Sequence, residues 1–314
     1  MLTTKNLTMR YGDRLIVDRL NLDVRPAEIY GFLGPNGAGK TTTIHMLLNL
    51  LQPTSGRISL FGEPVAPGSF AFRRLIGVAA EEPAELSRLT GWELVRYFAS
   101  LCAVDAPEPR METLFRALEL WDVRGAIARD YSRGMRQKLS LIRALVHEPK
   151  LLILDEPVSG LDPHGIRQVR ETIDAYRHDG GTVFISSHIL SEIERSADRV
   201  GILHQGCLLI EDTLAGLRRR IGKGRRFVVE LETLPPLLEA RLREAPHILE
   251  VTVSDTGRRL EMLLDDGDDA RPAISAIITE SGGVILGMRS EEMTLEEAFV
   301  TITNQNVTRL AGAS

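Results

Sequence analysis

The chain has 314 residues, with 38 lysines and arginines against 43 aspartates and glutamates and 43% hydrophobic residues, enough for one or two globular domains around a real core. No apolar run approaches the roughly 18 to 20 residues of a membrane-crossing helix, and the first residues lack the charged cap, apolar stretch and cleavage site of a secretory leader, so a non-spanning chain that stays in the cytosol is expected. Cys102 and Cys207 stand without CxxC or Cys/His ligand spacing, which argues against a disulfide framework and against a zinc site.

Residues 14 to 33 predict two strands and a turn. Leu15 to Val24 alternates apolar and polar residues, Pro26-Ala27-Glu28 interrupts, and Ile29 to Leu33 reads as a buried strand. Gly34 to Thr41 follows, and then Ile44, Leu47, Leu48 and Leu51 recur at helical spacing until Pro53 stops the helix. Between about 82 and 130 the pattern is mainly helical, as in a helical insert. Strands at 151–154 and 183–186 alternate with helices at 136–147 and 165–178, which calls for a mostly parallel sheet covered by helices.

The chemistry concentrates in this first part. Gly34, Pro35, Asn36, Gly37, Ala38, Gly39, Lys40 and Thr41 match GxxxxGK[ST] between a buried strand and a helix, the placement that a phosphate loop needs. Its glycines let successive N–H groups converge on phosphate oxygens that β-carbons would obstruct. Lys40 then reaches the β and γ phosphates and the Thr41 hydroxyl ligates Mg²⁺, with Thr42 completing the nucleotide-binding set. The apolar strand Leu151 to Leu154 ends in Asp155 and Glu156. Buried carboxylates need a reason: magnesium supplies it for Asp155, and Glu156 can accept a proton from attacking water. Upstream, Ser132 is an N-cap for a helix with Met135, Leu139, Ile142 and Leu145 on one face, and Gly134 keeps the approach to that anion-attracting terminus open.

The charge is unevenly spread, with a net −9 over residues 227–314 and +4 before them. An acidic tail repels phosphate backbones, so no nucleic-acid partner is expected. Residues 218–226, RRRIGKGRR, hold six basic residues and two glycines and read as a domain boundary, either a solvated linker or a contact for anionic lipid headgroups. The domains expected are therefore 1–217 and 227–314. The second shows a strand (227–231), a helix (235–244), strands at 248–253 and 259–264 around Thr256-Gly257, a helix (270–281) and a strand (284–287). That is a βαββαβ ferredoxin-like α+β module, closed by a helix from Thr294 with the capping-box pair Thr294 and Glu297, and regulatory or dimerising in role.

Taken in order, the phosphate loop, the Ser-x-Gly helix start, the Asp-Glu strand, Ser159-Gly160-Leu161-Asp162 and Ser186-Ser187-His188 resemble the nucleotide-binding subunit of an ABC transporter, over residues 1 to about 217. The resemblance implies a P-loop NTPase of the ABC type that binds ATP with Mg²⁺. It implies that Tyr11 stacks on adenine, that His188 contacts the γ-phosphate and positions water, and that Asp162 lies between two copies of the chain. Two copies would pair head to tail, with ATP between one loop and the other chain's Ser132, Arg133 and Gly134. The single nucleotide-binding domain, the string SSHILSEIERSADRV and a tail with LEEAF resemble bacterial exporter subunits whose permease is a separate chain. A peripheral place on the cytoplasmic face of the membrane follows. The rival is a soluble ABC-type ATPase acting on a ribosome or DNA repair complex, a class that usually carries two nucleotide-binding domains or very large insertions.

The chain departs from the family pattern twice. The signature LSGGQ is YSRGM, with Arg133 for the first glycine and Met135 for glutamine. In IGVAAEEPAEL the position of the usual glutamine, a ligand of Mg²⁺ beside the nucleotide, falls on Glu81, or on Glu82 if the register shifts by one. A carboxylate can still ligate Mg²⁺ but cannot donate a hydrogen bond.

Overall fold

Strands buried on both faces organise the first part of the chain. The computed structural model describes residues 1–80, 88–189, 193–221, 225–254, 258–264 and 270–291. In chain order come β1 (Leu2–Tyr11), β2 (Arg14–Leu20), β3 (Asp23–Val24), β4 (Ile29–Leu33), α1 (Lys40–Leu47), β5 (Ser55–Leu60), β6 (Glu63–Pro64) and β7 (Ile76–Ala79). Then follow α2 (Gly91–Leu101), α3 (Glu108–Ala117), α4 (Arg133–Leu145), β8 (Leu151–Asp155), α5 (Pro163–His178), β9 (Thr182–Ser187), β10 (Arg199–His204) and β11 (Cys207–Thr213). The larger sheet has the order β11-β10-β4-β9-β8-β7 and is parallel except for the β10–β11 hairpin. Every residue of β4, β8 and β9 is buried, which is why their apolar cores, residues 29–33, 151–154 and 183–185, show no polar alternation.

A second, antiparallel sheet runs β2-β1-β5-β6 with β3 paired to β1. Leu2, Leu7, Val17, Leu20 and Val24 from it share one core with Tyr30, Phe32 and Phe184 of the larger sheet. The Phe184 ring stacks on Tyr30 at 5.7 Å and tilts against Phe32 at 5.2 Å. β1 carries no clean alternation to announce it. Asn6 sits at φ 48° and the pairing with β2 shifts register around Met9, so the inward face changes partway along the strand.

The helical insert contains α2 and α3. Thr90 caps α2 through a reciprocal pair: its hydroxyl accepts Glu93 N–H at 3.2 Å while the Glu93 carboxylate accepts Thr90 N–H at 2.9 Å. Trp92 packs on Phe115 at 5.5 Å and edge-on to Trp121 at 5.8 Å, a structural use of both tryptophans. The helix after the phosphate loop is shorter than its apolar spacing suggests. It ends at Leu47 because Asn49 turns left-handed at φ 54° and spends its side-chain amide on the carbonyls of Ala66 and Ser69, both at 3.0 Å.

Contacts divide the chain into Met1–Leu214 and Ala215–Ser314. Within the arginine-rich stretch expected as the boundary, residues 218–221 end α6 (Leu214–Ile221) and residues 225–226 begin β12 (Arg225–Leu231), while residues 222–224 lie outside the described residues. Leu217 within this helix is fully buried, and the helix runs on past it to Ile221. The second unit adds α7 (Leu238–Arg243), β13 (Ile248–Val253), β14 (Arg259–Leu264), α8 (Arg271–Glu280) and β15 (Ile285–Glu291). Its antiparallel sheet has the order β13-β14-β12-β15, the ferredoxin-like arrangement, with Leu238, Leu242, Ile274 and Ile278 packed among Val229, Leu231, Val251, Leu260 and Met262. α7 begins at Leu238, not Pro235, because Leu237 stands at φ 64°. The closing helix expected from Thr294 lies outside the described residues.

Each unit has a core of its own. A chain ending at Leu214 is therefore expected to bind ATP with the affinity of the whole protein, read by nucleotide titration. A folded product that no longer binds ATP would show that the tail contributes to the nucleotide site.

Candidate active site

Three neighbouring parallel strands end at the same edge of the larger sheet. β4 hands over to Gly34, β8 ends on Asp155, and β9, between them, ends on Ser187; Leu33 is level with Ser187 and Asp155 with Ser186. This carboxyl edge is where open α/β sheets take ligands. Residues more than 100 positions apart in the chain thereby meet.

The loop from Gly34 to Thr41 is braced from within and from outside. Ala38 N–H donates to Pro35 O at 3.1 Å, and Gly206 N–H, from the turn of the β10–β11 hairpin, donates to Ala38 O at 3.0 Å. Gly39 opens α1 at φ 106°, and a Cβ there would stand 2.9 Å from Ile16 O, so a side chain is excluded by both conformation and space. Asn36 and Gly37 form the exposed tip, with Thr42 half-buried just inside the helix. The Lys40 ammonium turns inward, donating to Gly34 O at 2.8 Å and pairing with Glu156 Oε1 at 3.3 Å; the two residues are only 6% and 4% exposed.

Glu156 is held in a conformation its residue type disfavours. Its φ is 50°, a left-handed value maintained by its N–H, which donates to both the carbonyl and the hydroxyl of Ser186 at 3.2 Å. Gln137, buried on α4, donates to Glu156 O at 3.4 Å. On the side chain, Oε2 accepts His188 N–H at 3.3 Å and meets His188 Nδ1 at 2.7 Å. Oε1 faces Lys40 but has no hydrogen-bond donor among the described residues. Lys40 stands as the cation beside Oε1, and a carboxylate so placed could take a proton from water once Lys40 turns to another anion. Next to it, Asp155 accepts the Thr41 hydroxyl at 3.0 Å and the hydroxyl of Ser186. Thr41 and Asp155 together form a pair of hard oxygen donors suited to magnesium.

Thus Lys40, Thr41, Asp155, Glu156 and His188, singled out from the sequence, meet at one place. Tyr11 ends β1 and is 53% exposed, open to a stacking partner. Ser132, Arg133, Gly134 and Asp162 make no hydrogen bond to the phosphate loop among the described contacts. Ser132 caps α4 by accepting Met135 N–H at 3.2 Å, and Asp162 caps α5 by accepting Gly165 N–H at 2.8 Å. Glu81 and Glu82 lie outside the described residues. Sequence reasoning missed two contributors. Ser186 binds Asp155 and Glu156 at once, although the Ser-Ser-His string contained it; Gln137 reaches Glu156 only through tertiary packing, and no local pattern marks it.

Comparison with known proteins agrees with this geometry. Residues 17–159 match the family model described as ABC transporter. The chain is 36% identical to a bacitracin transport ATP-binding protein of Enterococcus faecalis over 95% of both chains. It is 32% identical to a daunorubicin resistance ATP-binding protein of Streptomyces coeruleorubidus, over 97% of this chain and 96% of the other. A solved structure of an ATP-binding subunit of an ABC transporter superposes with a TM-score of 0.67 at 32% identity, covering 71% of this chain and 93% of that one. Identity at that level over nearly the full length of both chains places this protein in the ABC transporter family, as an ATP-binding subunit with ATPase activity.

Proposed function

We propose that the chain powers export of a toxic compound through a separate membrane permease, working as a pair of copies that close on ATP and part after hydrolysis. The observation that carries this reading is the end-to-end match to proteins named for bacitracin transport and daunorubicin resistance, which includes the tail unit as well as the ATPase unit. That match also disfavours a ribosome or DNA repair role.

The chemistry follows from the residues at the sheet edge. A triphosphate in the Gly34 to Thr41 loop competes with Glu156 for the Lys40 ammonium, which moves from one anion to the other. Glu156 then takes a proton from water as the water oxygen attacks the γ-phosphorus and ADP leaves. His188 holds the Glu156 carboxylate through Oε2, which would leave Oε1 to take the proton once Lys40 has turned to the triphosphate. Thr41 and Asp155 would hold a magnesium ion, which when bound neutralises charge on the β and γ oxygens, and Glu81 is an additional proposed ligand. Ser132 and Gly134 would close over the nucleotide of the partner copy, and Tyr11 would stack on adenine. No helix among the described residues is long and apolar enough to cross a membrane, so attachment to the cytoplasmic face would run through the permease.

Membrane fractionation and antibiotic tolerance test this together. The chain is expected to sediment with membranes only when its permease is co-expressed, and cells carrying Glu156→Gln are expected to lose tolerance to at least one peptide or anthracycline antibiotic. A chain that stays in the soluble fraction beside every candidate permease, with tolerance unchanged, would remove the transport assignment.

A further inference from the structure

We propose that Arg133 is a positioning residue that holds the backbone of Glu156 in place by way of Ser159. The proposal rests on the reading of Glu156 as the base.

Arg133 is the first residue of α4, where the helix already presents the positive end of its dipole and where the first turn holds no acidic residue. A cation at that point opposes the dipole, so helix stability is not what this side chain contributes. Its guanidinium leaves the helix instead and donates from Nη2 to Ser159 Oγ at 3.0 Å. It also lies against Gly160, whose missing Cβ would stand 2.8 Å from Arg133 Nε and 2.9 Å from its Cδ, at φ +76°. With Arg133 in this position, residue 160 has no room for a side chain.

Ser159 connects this contact to the chemistry, because its N–H donates to Glu156 O at 3.1 Å, and the same carbonyl accepts Gln137 from α4. The contacts therefore close a ring: α4 through Arg133 to Ser159, Ser159 to the carbonyl of Glu156, and that carbonyl through Gln137 back to α4. One residue further, Leu161 Cδ2 comes within 3.1 Å of where a Gly134 Cβ would be, so the turn from Glu156 to Leu161 lies along the first turns of the helix. A glycine at position 133 would leave the Ser159 hydroxyl without its donor, so Ser159 N–H would meet the Glu156 carbonyl without a brace to α4, and Gln137 alone would tie that carbonyl to the helix.

Steady-state ATPase kinetics on the full chain with Arg133→Gly, Ser159→Ala and the double variant test this, with nucleotide affinity and thermal midpoint measured alongside. Each single change is expected to lower kcat by about 3- to 10-fold, the worth of one hydrogen bond, and Ser159→Ala is expected to do so with KM and nucleotide affinity unchanged. The double variant is expected to be no slower than the slower single one, since both remove the same link. Unchanged kcat in Arg133→Gly overturns the proposal. So does a slow Arg133→Gly beside a Ser159→Ala of full activity, which would mean that Arg133 acts on something other than Ser159, and so do losses that multiply in the double variant. Arg133→Lys keeps the charge without the fork, so recovery by it with Ser159→Ala intact would likewise point to charge and not to position. Failure of the base assignment shows separately, as a Glu156→Gln protein that still turns over.

Discussion

Glu156→Gln is expected to bind ATP and hydrolyse it roughly 100- to 10,000-fold more slowly than the native chain, the range that removal of a general base spans. The amide keeps the volume and left-handed backbone of a residue that is 4% exposed, so the fold has no reason to change. Its oxygen can still accept His188 N–H in place of Oε2, which points the NH₂ group to where Oε1 faces Lys40. That is a donor in place of the acceptor a water proton needs. Losing the negative charge also frees Lys40 for the triphosphate, so ATP should bind as well as before or better. The paired state should then accumulate, and gel filtration with ATP should show a species of twice the mass. Retention of most of the native turnover would reassign the base.

Lys40→Ala should act at the other end of the same ion pair. Charge-assisted hydrogen bonds to phosphate contribute about 1.5 to 3 kcal/mol each, so ATP affinity is expected to fall by about 100-fold. The structure adds a second consequence. Lys40 is the cation beside Glu156 Oε1, and its removal leaves a carboxylate buried without that partner, a change that costs about 3 to 5 kcal/mol in comparable buried pairs. The thermal midpoint should therefore drop in Lys40→Ala and recover in Lys40→Ala with Glu156→Gln, where both charges are gone, while ATP binding stays lost in both. Thermal melts and nucleotide titrations of the single and double variants separate the two effects. A single variant as stable as the native chain would mean that the 3.3 Å pair carries no net stability.

The residues proposed to meet phosphate, metal and water are legible in the sequence, because each chemical need is met over a few adjacent positions. Gly34 to Thr41 needs backbone freedom followed by a cation and a hydroxyl, and Asp155-Glu156 needs an apolar strand to end in charge; both appear as short strings. The order of elements in the tail was legible for the same reason, since period and turn residues are local properties. What only the tertiary structure decided is non-local. β4, β9 and β8 stand side by side, which makes one site from strings more than 100 residues apart, and β1 is a strand because its neighbours pair with it across the shifts around Met9. α1 stops at Leu47, short of its apolar pattern, because Asn49 finds the carbonyls of Ala66 and Ser69, and α6 runs past buried Leu217 to Ile221, among the first of the arginines. Gln137 and Ser186 joined the site, and Arg133 turned toward Ser159, for a related reason. A side chain's type states what it can donate or accept, and only packing states which group it will find.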